Sequence, residues 1–519
     1  MPELLPPFSL RDQRGVDRAF PSAAKSVLCF AKEDCPTCNL VMPLIEALHR
    51  ETALDVLVPG QTSDGNATLI DRHDLTAPVL DDSALKVSFA YDVDTVPLVI
   101  AADEDGSEAD RLVGFDKGEW RAFFERHAPG LAVDWDALPD WRPGCGSLTQ
   151  DPVIGERLRA EAENSPLRAR RIETAPADDV HEFLFDQGFT DGLPVVPPTP
   201  ERVLRMLGGT RRDPQEVVAT IPPNMAPATV EKIAVNAVLA GCRPEHLPVV
   251  IAALEAVCTD EFNIHGVMAT TMGASPVMIV NGPIRHRLGM NMRLGVLGQG
   301  DRANSAIGRA LRLTVRNVGG ARPGGTERST LGNPMKYTMC FPEWEERSEW
   351  PPLHVERGFD REDSVVTVFA MTSGPSLIVD QNSRNASQLA GSFGLVMEGA
   401  HHPRAHHMGD CILVVCPEHV DTLKVDGYSK DDVRTRIQDV TAKRLRDLVA
   451  DEVSGTGLDP QRAQAMSDEQ LERMAPKFAS KDNIHLVVAG SEAGKFSGLF
   501  HGWASGPMGS MPVSRKIED

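Results

Sequence analysis

The feature that most constrains the fold is a pair of cysteines placed between an apolar strand and an amphipathic helix. Residues 25–31 form an apolar run suited to a buried strand, and the segment Cys35-Pro36-Thr37-Cys38 follows closely. The next apolar residues recur at helical spacing: Leu40, Val41, Leu44, Ile45 and Leu48. A cysteine at a helix N-terminus lies near the positive end of the helix dipole, which stabilises its thiolate. This order predicts a thiol–disulfide centre in which Cys35 attacks and Cys38 resolves the mixed disulfide.

A second feature agrees with the first. The segment Thr95-Val96-Pro97 leads into the apolar run Leu98-Val99-Ile100. With this order of motifs, residues 1–135 resemble the thioredoxin and thiol–disulfide isomerase family, in which a cis-proline before a strand faces the CxxC. The resemblance implies that Val96–Pro97 is the cis peptide and that the Val96 backbone pairs with the substrate chain.

The sequence departs from that family at the cysteine motif. Asp34 stands where the family usually has tryptophan, and Pro-Thr replaces Gly-Pro between the cysteines. The negative charge of Asp34 predicts opposition to thiolate formation at Cys35, hence a more reducing or slower pair. The alternative is that the CxxC is half of a zinc site, for which His49 and His73 are the nearest further ligands.

Length and composition narrow the class of protein. A chain of 519 residues predicts two to four domains. The net charge of −21 argues against nucleic-acid binding, and nine cysteines are too few for a disulfide scaffold. No apolar run is long enough to suggest a membrane span. The start has no basic segment followed by an apolar one, so we expect no signal peptide and a cytoplasmic location.

Residues 136–176 are expected to form a linker between the first domain and a larger one. The linker contains Gly144-Cys145-Gly146-Ser147, in which flanking glycines should leave the cysteine accessible. This short segment resembles the Sec-Gly-Ser-Cys motif of UGSC-type (seleno)proteins, although Leu148 stands where that motif has its second cysteine. If Cys145 is a redox nucleophile, Cys35 and Cys38 are the obvious source of its resolving thiol. The alternative is a free loop cysteine.

Residues 177–519 are predicted to form a larger α/β domain, with two pseudo-repeated halves as one arrangement. Continuous apolar strands that alternate with helices indicate a sheet covered on both faces. Four segments have this character, each an apolar run followed by a polar or glycine-bearing turn: 276–282, 376–381, 411–417 and 484–490. Ligands of such sheets bind beyond the carboxyl ends of strands, which nominates the turns Asn281-Gly282 and Asp380-Gln381 and the loop after Ala489.

Two glycine-bearing segments are candidate sites for a small anion. Gly490, Gly494 and Lys495 lie in a loop whose amides could hold a carboxylate or phosphate, although its spacing is one residue short of a P-loop. Glycines at 298 and 300 precede a helix, where Arg302 and Asn304 could supplement the free amides. An ordinary turn and an ordinary capped helix are the alternatives.

A histidine-rich segment precedes the third apolar strand. His402, His406, His407 and Asp410 are suitable ligands for zinc or ferrous iron, and His265, His354 and His501 are candidate distant ligands. The alternative is a connecting loop with one or two general acid/base roles.

The leading functional hypothesis is a thioredoxin-coupled redox enzyme. The CxxC domain would regenerate a thiol-dependent site that acts on a small, anionic substrate, with thioredoxin reductase or a low-molecular-weight thiol as electron donor. Because the CxxC domain and the thiol-dependent site belong to one chain, the effective concentration of each at the other would be raised. The alternatives are a metal-dependent hydrolase or lyase with a redox-guard domain, and a redox-sensing adaptor. The chain could also form a homo-oligomer.

Overall fold

The computed structural model describes residues 4–172, 174–175, 179–407 and 409–518. The chain divides into two compact units, Met1–Glu173 and Thr174–Asp519. The predicted linker, residues 136–176, spans the boundary between the two units, and most of it lies within the first. Across the described ranges, no helix is long and apolar enough to cross a membrane.

The first unit contains eleven strands and five α-helices in its described residues. The strands are β1 (Phe8–Arg11), β2 (Asp17–Phe20), β3 (Ser26–Phe30), β4 (Asp55–Gly60), β5 (Val79–Asp81), β6 (Thr95–Val96), β7 (Leu98–Ala102), β8 (Glu108–Val113), β9 (Phe115–Asp116), β10 (Trp141–Arg142) and β11 (Cys145–Gly146). The helices are α1 (Pro36–Glu51), α2 (Ser63–His73), α3 (Lys86–Ala90), α4 (Lys117–His127) and α5 (Pro152–Ala162).

A five-stranded sheet in the order β5-β4-β3-β7-β8 forms the centre of the first unit. β3, β4 and β5 are parallel, whereas β7 and β8 run antiparallel to their neighbours. β3 is buried at every residue because it is the middle strand, which explains its unbroken apolar sequence. The sheet, the CxxC helix that follows β3 and the proline before β7 make this unit thioredoxin-like, as predicted.

The second unit contains eleven further strands and thirteen α-helices in its described residues. The strands are β12 (Val217–Ile221), β13 (Ala226–Thr229), β14 (Ser275–Asn281), β15 (Cys340–Pro342), β16 (Val365–Val379), β17 (Cys411–Val415), β18 (Lys443–Arg444), β19 (Met474–Ala475), β20 (Ile484–Val488), β21 (Phe496–Gly502) and β22 (Val513–Lys516). The helices are α6 (Val180–Asp186), α7 (Pro200–Leu207), α8 (Val230–Leu239), α9 (Leu247–Val257), α10 (Ile264–Ala269), α11 (Ile284–Arg287), α12 (Arg302–Asn317), α13 (Leu353–Glu356), α14 (Ala386–Met397), α15 (Pro417–Lys424), α16 (Lys430–Thr441), α17 (Pro460–Gln464) and α18 (Asp468–Leu471).

The second unit is built on a seven-stranded mixed sheet in the order β15-β14-β16-β21-β17-β20, with β22 also pairing with β16. β14 is parallel to β15 and antiparallel to β16. In the same way, β17 is parallel to β20 and antiparallel to β21. Two three-stranded groups with this shared strand order meet at the β16–β21 pair, which agrees with the prediction of repeated halves.

Both faces of this sheet are buried along β14, β17 and β20, as predicted, whereas the end of β16 that contains the predicted strand 376–381 is largely exposed. Along β17, Leu413 and Val415 belong to a cluster with α14 and α16, whereas Ile412 and Val414 pack into a cluster on the other face. All five residues of β17 are inaccessible to solvent. The α/β class of the second unit is therefore confirmed.

Candidate functional site

The two cysteines of the CxxC motif lie at the start of α1. Cys35 is the N-cap residue and Pro36 occupies the first turn, where its missing N–H leaves no hydrogen bond unmade. The backbone N–H of Cys38 donates to Cys35 Sγ at 3.3 Å. Both cysteines have an exposed fraction of 0%. The local fold therefore places Cys35 where backbone donors converge on its sulfur.

The surroundings of the two thiols shift their pKa values in opposite directions. Hydrogen bonding from the Cys38 thiol, followed by the Cys38 N–H and the thiol of Cys145, lowers the pKa of Cys35 to about 5 despite its burial. Burial and the neighbouring Cys35 sulfur raise the pKa of Cys38 well above that of an ordinary thiol. At neutral pH Cys35 is therefore the thiolate and Cys38 the protonated partner, the arrangement that nucleophilic attack and later resolution require.

The predicted opposition of Asp34 to ionisation of Cys35 does not prevent a lowered pKa at Cys35. The Asp34 carboxylate is exposed and lies 3.3 Å from Lys32 Nζ. Hydrogen bonds to the Cys35 sulfur lower its pKa despite burial, whereas the charge of Asp34 is among the causes that raise the pKa of Cys145 beside it.

The predicted cis peptide is confirmed at Val96–Pro97. Cys35 Sγ lies 3.5 Å from the carbonyl oxygen of Val96, so the proline segment covers the nucleophile. The Val96 backbone, which the family resemblance assigns to a substrate chain, is already paired within the unit. β11 runs antiparallel to β6, and Cys145 is the residue opposite Val96.

Residues 141–150, here called the strap, hold Cys145 in this position. Thr37 Oγ1 donates to the carbonyl of Pro143 at 2.6 Å, directly beside the CxxC. Beyond Cys145, Gln61 Nε2 donates to Ser147 Oγ at 2.7 Å, and the N–H of Ser147 donates to the carbonyl of Asp94 at 2.8 Å. The strap is therefore hydrogen-bonded on both sides of its cysteine.

A glycine permits this close approach. A Cβ atom at Gly144 would lie 2.3 Å from Thr95 Cγ2 and 2.8 Å from the carbonyl oxygen of Val96. At Gly146, two residues further on, a Cβ atom would meet nothing within 4 Å. Only the first of these two glycines is needed to seat the strap on β6.

Three sulfurs thus share one corner, in which Cys35 and Cys38 are buried and Cys145 is partly exposed, since the thiols of Cys38 and Cys145 both donate to Cys35. Burial, followed by the hydrogen bond to Cys35, raises the pKa of Cys145. All three are free cysteines in this structure. The arrangement suits passage of a disulfide bond from the central sulfur to either neighbour.

The CxxC motif does not form half of a complete zinc site among the residues that the structure describes. In the part of the chain that the structure describes, no three His, Cys, Asp or Glu side chains are placed to hold a metal ion. His73 Nε2 instead contacts Asn39 Oδ1 at 2.8 Å.

The histidine-rich segment likewise does not assemble its four predicted ligands. His402 Nδ1 accepts from the N–H of Arg404, and His406 Nδ1 lies 3.0 Å from the carbonyl of Pro476. His407 and Asp410 line a cleft of about 830 Å³, but Asp410 Oδ1 is bound at 2.9 Å to His485 Nε2. Partners within the protein therefore occupy one ring nitrogen each of His402 and His406 and one oxygen of Asp410.

The predicted anion-binding residues have partners within the protein. The N–H of Gly494 donates to Glu418 Oε1 at 2.7 Å, so a carboxylate of the protein lies where an anion was predicted. Asn304 Nδ2 donates to the carbonyl of Asn291, and Arg302 Nε to that of Gly241. Asn281 Nδ2 binds two buried carboxylates. Gly490 donates to the carbonyl of Met292, and Lys495 is partly buried in the same loop.

Sequence reasoning missed two groups of residues. Nothing in the strap sequence indicated that it returns to β6, because long-range strand pairing leaves no local pattern. The second group, Arg309, Arg312 and Arg316 on α12, did leave a signal. Their spacing of three and four residues places them on one face of a helix.

The solved structures that resemble the chain align with about a quarter of it. StoA from Bacillus subtilis is 21% identical, covers 22% of this chain and 91% of its own, and has a TM-score of 0.20. A thiol:disulfide interchange protein DsbE of Chlorobium tepidum is 17% identical over 25% of this chain and 97% of its own, with a TM-score of 0.23. A secreted Mycobacterium tuberculosis disulfide oxidoreductase is 16% identical over 25% of this chain and 89% of its own, with a TM-score of 0.20.

No protein-family model matches the chain, and no curated protein matches it. The strand order, the capped CxxC helix and the cis-proline of the first unit define it as a thioredoxin-like domain, joined in one chain to a larger α/β unit.

Proposed function

We propose that the first unit is a thiol–disulfide oxidoreductase whose internal substrate is Cys145. Its electrons would serve a thiol-dependent reaction of the chain on a small, anionic substrate. The observation that carries this proposal is the pairing of Cys145 with Val96, directly over the thiolate of Cys35. A backbone pair at the cis-proline strand is where the family resemblance places a substrate cysteine.

The exchange proceeds in two balanced steps. When Cys145 carries a disulfide to an external thiol RSH, the Cys35 thiolate attacks the Cys145 sulfur and RS⁻ leaves. The product is a Cys35–Cys145 disulfide, here called the strap disulfide. Cys38 then loses its proton and attacks Cys35, which releases the Cys145 thiolate and leaves a Cys35–Cys38 disulfide. Two electrons pass from the CxxC dithiol to the original disulfide.

The order of pKa values supports these roles. Cys35 is ionised before it reacts, whereas Cys38 is protonated while Cys35 holds the negative charge. Once the strap disulfide forms, that charge is gone, so the electrostatic penalty on ionising Cys38 falls. A low-molecular-weight dithiol, or thioredoxin reductase, would then reduce the Cys35–Cys38 disulfide and complete the cycle.

Trapping tests the proposal directly. In Cys38→Ser, oxidised glutathione should form a mixed disulfide with Cys35 or with the partly exposed Cys145, and the other of these two thiols then displaces glutathione to give the strap disulfide. Peptide mass spectrometry without reductant should find this crosslink as the main product. The double variant Cys38→Ser with Cys145→Ser should stop at the glutathione adduct. Cys258→Ser in the second unit is the matched control and should leave the crosslink unchanged. A stable glutathione adduct on Cys35 in the Cys38→Ser single variant would refute the internal-substrate role.

A further inference from the structure

A half-enclosed cavity in the second unit carries an excess of positive charge. Its volume is about 420 Å³, and Arg312 and Arg316 of α12 line it together with Lys336 and Tyr337. Arg309 lies one turn earlier on the same helix face and pairs with Asp191, which also lines the cavity. The whole protein has a charge of −21, so a cationic cavity is unusual for this chain.

The carboxylates around the cavity do not balance its cations. Arg309 Nε and Nη2 donate to the two carboxylate oxygens of Asp191 at 2.9 and 2.8 Å. Glu327 is shared, since it lies 3.4 Å from Arg312 Nη2 and 3.1 Å from Lys336 Nζ. Four cations, with Arg316 as the fourth, therefore face two carboxylates.

Arg316 contributes the uncompensated charge at one end. Its guanidinium donates to the carbonyl of Gly188 and to Asn317 Oδ1, both neutral groups. Among the residues that the structure describes, no carboxylate lies within 4.0 Å of it in an ion pair. Burial, together with the nearby charge of Arg322, lowers the pKa of Arg316. Its positive charge is thus held in an unfavourable environment that an anion would relieve.

Lys336 is the second cation whose charge is not fully compensated, because Arg312 shares Glu327 with it. Its side chain is only 9% exposed, and that of Arg312 is 7% exposed. Lys336 Nζ is close to Glu327 but makes no well-directed hydrogen bond. Burial and the charge of Arg312 lower the pKa of Lys336. Two buried cations with one shared carboxylate are costly unless a further negative group enters.

We propose that this cavity binds a small dianion, a dicarboxylate or a phosphate monoester, between Arg316 and Lys336. The proposal rests on the anionic substrate of the proposed function and assigns it a place and a charge. Two unbalanced positive charges match a ligand of charge −2. Guanidinium groups bind carboxylate and phosphate oxygens in paired hydrogen bonds, and Tyr337 adds a hydroxyl at the rim. The volume lies in the range of about 300–1,000 Å³ typical of small-molecule sites.

Calorimetric titration of the full-length chain with malonate and with inorganic phosphate tests this. Both probes should bind saturably, and acetate, a monoanion, should bind more weakly. Lys336→Met and Arg316→Gln should each weaken binding by about tenfold or more, the size expected for one lost charge-assisted contact. Glu327→Gln removes a competing carboxylate and should tighten binding. Tighter binding of malonate than of phosphate would identify a dicarboxylate, and the reverse order a phosphate ester.

Arg302→Gln is the matched control, because Arg302 is on the same helix but donates to the carbonyl of Gly241 away from the cavity. It should bind both probes as the unsubstituted protein does. Cys35→Ser should also bind them normally, which separates failure of this site from failure of the sulfur chemistry. The proposal is overturned if Glu327→Gln fails to bind either probe, or if Arg302→Gln abolishes binding while Lys336→Met retains it.

Discussion

Replacing Cys145 with alanine should raise the pKa of Cys35, because the Cys145 thiol is one of the donors that stabilise its thiolate. A hydrogen bond to a charged group contributes about 1.5–3 kcal/mol, and a thiol is a weak donor, so we take the lower end. Since 1.36 kcal/mol corresponds to one pH unit, the pKa should rise from about 5 to about 6. At pH 5.5 the thiolate fraction then falls by about threefold, whereas at pH 8 it is unchanged.

Thiolate absorbance as a function of pH measures this change, and its midpoint does not depend on how easily a reagent reaches the sulfur. Cys145→Ser is the matched variant, since a hydroxyl still donates to the thiolate and should keep the midpoint near 5. The reasoning is refuted if the alanine and serine variants share one midpoint, or if the unsubstituted protein titrates near the ordinary thiol value of about 8.5.

Three further changes test the packing. Gly144→Ala should force the strap away from β6 and lower the yield of the strap disulfide, while Gly146→Ala, where a Cβ atom meets open space, should leave that yield unchanged. Trp120→Ala should destabilise the first unit by about 3–5 kcal/mol in thermal or urea unfolding, because the indole is 1% exposed and a cavity remains. Ser497→Ala removes the hydroxyl that lies 2.7 Å from the Nδ1 atom of buried His419, and should destabilise the second unit by about 1–3 kcal/mol in the same assay. An unfolding midpoint unmoved by either of the last two substitutions would contradict the corresponding packing argument.

The parts of the fold that local pattern determines could be predicted from the sequence. A strand buried on both faces is mostly apolar, and the helix that follows it needs a capping residue at its N-terminus. Both signals are present in residues 25–48, so the β3–α1 corner could be predicted. Three of the four apolar segments of the second unit were predictable for the same reason, but the fourth is the exposed end of β16, where Leu377 is 63% and Val379 57% exposed. The directions of the strands were not predictable, because parallel and antiparallel neighbours impose the same composition on a central strand.

The candidate site was predictable only where its chemistry is local in sequence. Cys35 and Cys38 are three residues apart, whereas Cys145 meets Val96 across a separation that no periodicity encodes. The low pKa of Cys35 was not predicted, because one of the hydrogen bonds that lower it comes from Cys145, which is distant in sequence. The cationic cavity was not predicted, because Arg312 and Arg316 of α12 meet Lys336 only through the tertiary fold.

The β6–β11 pairing also has a consequence for partner choice. A polypeptide substrate that binds beside the cis-proline would have to compete with the strap for pairing with β6. The strap belongs to the same chain, so its local concentration is high, and Thr37 and Gln61 hold it by hydrogen bonds. Small thiols and disulfides do not need to pair with the backbone of β6. The domain should therefore discriminate by size and exchange disulfides faster with small sulfur compounds than with polypeptides.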